Sequence, residues 1–144
     1  MNTDPFNLER FVSAQNPIFE TVLAELKAGR KRSHWMWFVF PQLRGLGHSS
    51  AAQFYGIESL EEAQAYLAHP LLGARLERCT RAVQENSAHT LRDLFGLPDN
   101  LKFHSSMTLF ARASREKGIL YEQALEHWFG GQEDEETVRL LPEP

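Results

Sequence analysis

A histidine, two indoles and an amide lie along one short apolar run, His34-Trp35-Met36-Trp37-Phe38-Val39-Phe40-Pro41-Gln42. An imidazole changes charge near neutral pH, so His34 could serve as a general base, a proton donor or a ligand contact. Its ring could equally bond a backbone group at the start of a helix. Trp35 and Trp37 project to different sides of a helix. One could be core while the other walls a pocket, where an indole face can stack on a base or a sugar, although core packing is the simpler reading for each. Gln42 closes the run with an amide that both donates and accepts hydrogen bonds. Just upstream, Lys27, Arg30, Lys31 and Arg32 form a basic knot, and Lys31 could neutralise a phosphate held nearby.

The loop that follows, Arg44-Gly45-Leu46-Gly47-His48-Ser49-Ser50, has the composition of a segment that offers backbone N–H groups to an anion at a helix start. Gly45 and Gly47 permit positive φ, and Arg44 supplies a cation. It is neither a Walker loop nor a dinucleotide fingerprint, because no strand precedes it, and a plain turn explains the same residues.

A second polar constellation, Asp99, Lys102, Ser105, Ser106 and Thr108, sits inside an otherwise apolar segment. At helical spacing Asp99, Lys102 and Ser106 share one side, and Ser105 and Thr108 another. Small hydroxyls in such a place need partners when buried. Either they bond a neighbouring helix and allow close packing, or they line a pocket with Lys102 for an anion. Asp99 could act as an acid–base group, or simply cap its helix. Ser105-Ser106 lacks the strand-to-helix elbow of a serine nucleophile.

Neither metal nor cofactor is expected. The six histidines show no helical pair, and no histidine–carboxylate set has ligand spacing. The single cysteine, Cys79, falls on an apolar stripe, excludes an internal disulfide and suits a reducing cytoplasm. With a net charge of −4 the chain has no general attraction to nucleic acid polymers or anionic membranes. No apolar run approaches the ~18 residues that a membrane span needs. The 144 residues, 42% of them hydrophobic, fit one folded domain over 1–144.

The elements that must position these groups are all helical by pattern. Asp4-Pro5 and Asn16-Pro17 are start signals, and Gly29 is a stop after Val22, Leu23 and Leu26. The aromatic run reads as a short buried helix ending before Pro41, since no second strong strand exists for it to pair with. Residues 41–58 read as a loop with two helical turns from Ser49 to Tyr55. Ser59-Leu60-Glu61-Glu62 is a capping box. His69-Pro70 breaks that helix and opens another, along which Leu72, Leu76, Cys79 and Val83 recur at helical spacing. Ser87 could cap a short helix through Leu91, Leu94 and Phe95 closed by Gly96, Asp99 the polar helix, and Asp134 a last turn or two ending at Leu140-Leu141. The fold class is all-α, with about eight to ten short helices.

Ser33-His34-Trp35-Met36-Trp37-Phe38-Val39-Phe40-Pro41-Gln42-Leu43 with Gly45-Leu46-Gly47 resembles the signature of a bacterial family known as domain of unknown function 1810. Arg10-Phe11, Ala14-Gln15, Tyr55-Gly56-Ile57, Tyr66-Leu67, His69-Pro70, Leu72-Gly73 and Arg75-Leu76 fit the same pattern. So do Asp99, Lys102, Ser105-Ser106-Met107-Thr108-Leu109-Phe110, Thr137 and Leu140-Leu141. The resemblance implies a compact, mostly helical single domain and brings no established activity.

The two long motifs together combine aromatic surface, small hydroxyls and cations, which is what a pocket for a small anionic or nucleotide-like molecule needs. The expected site is a pocket between residues 34–42 and 99–110. It would be lined by Lys31, Trp35, Trp37, Gln42, Arg44, Gly45, Gly47, Lys102, Ser105 and Ser106, with His34 or Asp99 as acid–base group if a nucleotide derivative is cleaved there. The rival reading is a non-enzymatic interaction or regulatory module. Its protein partner would meet the basic knot or the acidic run Glu133-Asp134-Glu135-Glu136.

Overall fold

The computed structural model describes residues 3–86, 89–114 and 119–141. Those residues hold ten helices, and beyond one isolated bridge between Leu43 and Ile57 they form no β-structure. The all-α expectation is met in both class and helix count.

The N-terminal third contains α1 (Glu9–Gln15), α2 (Phe19–Ala28) and α3 (Met36–Val39). Asp4 accepts from the N–H groups of Leu8 and Glu9, so it caps the chain's entry into α1 from four residues ahead. Gly29 ends α2 at φ 79°, a conformation that favours glycine. The aromatic run is a single helical turn, α3, stopped before Pro41. After it come α4 (Ser50–Tyr55), capped by Ser49, and α5 (Leu60–Ala68), capped by Ser59.

The larger helices follow: α6 (Leu72–Gln84), α7 (Leu91–Phe95), α8 (Asp99–Ser114), α9 (Ile119–Phe129) and α10 (Glu135–Leu140). His69 does open α6, its Nδ1 accepting from Leu71 and Leu72. Helix α1 opens at Glu9 rather than at Pro5, and three expected caps differ. Asn16 does not cap α2, which opens at Phe19 with no side-chain bond from its N-cap Ile18. Thr90 caps α7, whereas Ser87 lies outside the described residues. Asp99 does not cap α8. The first N–H groups there go to the carbonyls of Gly96 and Pro98, which leaves the Asp99 carboxylate for other partners.

Helix α8 is the axle. From Phe103 to Ala113 it is buried on nearly every side, packed by α5, α7, α9 and α10. Helix α6 leans on α2, α5 and α9 through Leu72, Leu76, Cys79 and Val83. Phe40, Phe95 and Phe103 form an edge-to-face and stacked trio with centroids 5.2–5.9 Å apart, tying the end of the aromatic run to α7 and α8.

Gly73 marks where the chain leaving α5 passes closest to α6. A Cβ there would lie 2.2 Å from the Leu67 carbonyl oxygen, and a backbone group cannot swing aside. Gly73→Ala is expected to cost about 1–3 kcal/mol through overpacking. Urea unfolding checks this, and an unchanged midpoint would contradict the close approach.

Candidate functional site

A buried carboxylate that the sequence pattern did not single out sets the aromatic run in place. Glu25 of α2 accepts four hydrogen bonds: from the N–H groups of Arg32 and Ser33, the Ser33 hydroxyl and the Trp35 indole. Burial alone would raise its pKa. The Ser33 hydroxyl, the Arg32 N–H, the Trp35 indole and the Ser33 N–H outweigh burial and hold it at about 2. Glu25 therefore fixes which tryptophan is core. Trp35 is fully buried with its polar atom satisfied, while Trp37, two positions on, is left half-buried.

Trp37 meets α8 through a lysine. The Asp99 carboxylate bridges two cations, Lys31 at 2.9 Å and Lys102 at 3.5 Å. Lys31 is nearly buried, lies 5.1 Å from the Trp35 ring centroid and also donates to the Ser33 carbonyl. Every feature of Lys31 is thus spent on holding residues 31–35 against the start of α8. Lys102 is more open, and its ammonium sits 4.9 Å from the centroid of Trp37.

Between these parts runs a cleft of about 530 Å³. Trp37, Gln42, Gly47, His48 and Ser49 line it from one segment, Lys102, His104 and Ser105 from α8, and Asp134 and Glu136 from the start of α10. Two stretches about sixty residues apart in sequence do therefore meet on one concave surface, in a volume typical of small-molecule sites. The Gln42 side-chain amide has no hydrogen-bond partner among the described residues, although its backbone carbonyl accepts from Ile57. Gly47 lies close to α4: a Cβ would come within 2.7 Å of the Ala52 Cβ, so a larger residue would intrude on this wall.

Of the residues expected from sequence, Trp37, Gln42, Gly47, Lys102 and Ser105 come together here. The others do not. Trp35 is sealed in the core. Ser106 is fully buried inside the helix packing, its hydroxyl without a partner. At 100° per residue Ser105 and Ser106 fall on opposite sides of Lys102, about 60° and about 40° away, and the cleft lies on the Ser105 side while Ser106 turns into the packed interior. Arg44 turns toward the Gly56 carbonyl and Glu58, and exposed Gly45 lies beside Leu140. Loop residues 44–49 act mainly as a turn against α4. His34 is exposed and lines no part of the cleft, and Asp99 lies behind Lys102 as its counter-ion.

Asp134 and Glu136 join the cleft unannounced. Asp134 was legible as a helix cap, and it is one, but only the docking of α10 on α8 carries it to Ser105. Elsewhere in the acidic run Glu133 pairs with Arg112 and Glu136 with Arg139, while Glu135 is exposed. Among the described residues no three His, Cys, Asp or Glu side chains cluster so as to hold a metal ion. Cys79 is buried, its thiol pushed up to about 12 by desolvation, and is chemically quiet. A larger depression of about 780 Å³ lies around His69 and Tyr121, but neither long motif reaches it, and its charged pair, Glu77–Arg81, closes on itself at 2.9 Å.

A family model described as a protein of unknown function (DUF1810) matches residues 5–141, a span that includes both walls of the cleft. The chain belongs to that family. Among solved structures, the conserved hypothetical protein Rv1873 from Mycobacterium tuberculosis is 57% identical, with a TM-score of 0.93 over 96% of this chain and 98% of its own. No curated protein matches the chain. The DUF1810 helical arrangement around α8 is thus one that a crystal structure also displays. Among the described residues no helix is long and apolar enough to cross a membrane.

Proposed function

We propose that this DUF1810 chain is a small-molecule-binding domain whose cleft takes a nucleoside-monophosphate-like ligand. The observation that carries the reading is the convergence of Trp37, Gln42 and Lys102, with Gln42 unpaired, on one cleft of about 530 Å³. An indole offers a stacking plane, a free amide reads the polar edge of a ring, and an ammonium holds one anionic group. Lys102 rests over Trp37 on a flexible stem, so it can swing to a ligand's phosphate and uncover the ring. Asp134 in the same cleft disfavours di- and triphosphates by repulsion, which favours a single phosphate as the anion. A cytoplasmic setting is supported by the single cysteine, buried and without a partner thiol.

Thermal unfolding with nucleoside monophosphates, against inorganic phosphate as control, tests the reading. A hundredfold excess over Kd stabilises by about 2.7 kcal/mol, a rise in Tm of roughly 5–10 °C. Trp37→Ala and Lys102→Ala, each folding normally, are expected to weaken binding at least tenfold. Silence of the wild type toward every monophosphate at millimolar concentration would overturn the proposal.

A further inference from the structure

The carboxylate of Asp134 is used on one side only. Its Oδ2 accepts from the Ser105 hydroxyl at 3.1 Å, the Thr137 N–H at 3.1 Å and the Thr137 hydroxyl at 2.6 Å. Its backbone N–H donates to the Thr108 hydroxyl at 2.9 Å, so the residue is clamped from both ends. Oδ1 has no donor among the described residues, and Asp134 lines the cleft. A clamped carboxylate in the wall of a cleft, with one oxygen unengaged, calls for hydrogen-bond donors from whatever enters.

The position of that oxygen gives the cleft a polarity. Ser105, its neighbour, follows Lys102 by three residues on α8, an axial step of about 4.5 Å. A cation therefore marks one end of this wall and a donor-seeking oxygen the next turn. Glu136 is exposed and pairs with Arg139, whereas the Asp134 carboxylate is held in place by Ser105 and Thr137. A ribonucleotide carries the matching set on one sugar: an anionic phosphate and two vicinal hydroxyl donors.

We infer that Asp134 is the specificity-determining residue of the cleft: Oδ1 accepts from the ribose hydroxyl pair, and the ligand is a ribonucleoside rather than a deoxyribonucleoside monophosphate. This inference rests on the nucleotide reading of the cleft. Ser105 and Thr137 are positioning residues that aim the carboxylate.

Isothermal titration of the full chain with the four ribonucleoside 5′-monophosphates and their four 2′-deoxy counterparts tests it. The best ribonucleotide is expected to bind about tenfold more tightly than its deoxy form. In Asp134→Asn the ratio of ribo to deoxy affinity is expected to fall to about one, a readout that a general change in anion affinity does not move. Asparagine caps a helix as well as aspartate does, and the wild-type comparison needs no variant at all. Equal wild-type affinity for ribo and deoxy forms overturns the diol assignment while leaving the cleft reading intact. A preference that survives in Asp134→Asn removes the role from Asp134, and failure of all eight to bind overturns both readings.

Discussion

Replacing Glu25 by glutamine costs the fold about 3 kcal/mol at pH 7, and the deficit shrinks as the solution is acidified. Glutamine has the shape of a protonated glutamate, so the variant reports what ionisation of this one group is worth. The folded-state pKa of about 2 lies below the ordinary 4.5, because four donors prefer the charged form by more than burial disfavours it. A depressed pKa contributes stability that is fully present above pH 4.5 and is lost as the pH falls toward 2. Urea unfolding of wild type and Glu25→Gln at pH 7, 5 and 3 reads the gap directly. It is expected to hold near 3 kcal/mol at pH 7 and to fall below half of that by pH 3. A gap under about 1 kcal/mol at neutral pH, or one that does not change with pH, contradicts the role given to Glu25.

A second large effect is expected at Arg10. Its guanidinium and the Glu62 carboxylate meet at 2.7 Å with side chains 5% and 2% exposed. The same guanidinium donates to the carbonyls of Phe6, Asn7, Phe54 and Gly56, so one side chain pins α1 to the loop between α4 and α5. Arg10→Ala leaves Glu62 as a buried charge supported chiefly by the Glu58 N–H. The expected loss is about 3–5 kcal/mol. Glu62→Gln should cost less, because the four carbonyls still satisfy the cation. Denaturant unfolding of both variants gives the comparison, and equal losses, or a loss under about 1 kcal/mol for Arg10→Ala, would show that the pair does not hold this corner.

These two carboxylates show where local pattern reading stops. Ser59 and Glu62 read as a capping box, and Ser59 does cap α5. Glu62, however, takes the N–H of Glu58 and answers an arginine on α1, a partner fifty-two positions away that no helical period reveals. Glu25 sits on a helix whose apolar stripe was plain, yet its partners lie in an irregular segment after Gly29. That long-range bond is what distinguishes Trp35 from Trp37, which sequence spacing could separate but not assign.

The helices themselves were legible because their ends are written in local chemistry. Asp4, Ser49, Ser59 and Asp134 all accept backbone N–H groups close by, and Gly29 supplies the left-handed stop. The site was legible in part. The two motifs do meet, and Trp37, Gln42, Gly47, Lys102 and Ser105 share a cleft. His34, Asp99, Lys31, Trp35, Arg44, Gly45 and Ser106 fell away for tertiary reasons: solvent, ion pairing, burial or a turn in another direction. Asp134 went unrecognised as a cleft residue because its capping role already explained it.

Chemical-shift mapping of the isotope-labelled chain during titration with a ribonucleoside monophosphate tests the central claim most directly. The largest changes are predicted at the Trp37 indole N–H, the Gln42 side-chain amide and the backbone of Lys102 and Ser105, with the buried Trp35 indole unmoved. Changes centred on His69 and Tyr121, equal movement of both indoles, or a spectrum that stays still at millimolar ligand would contradict it.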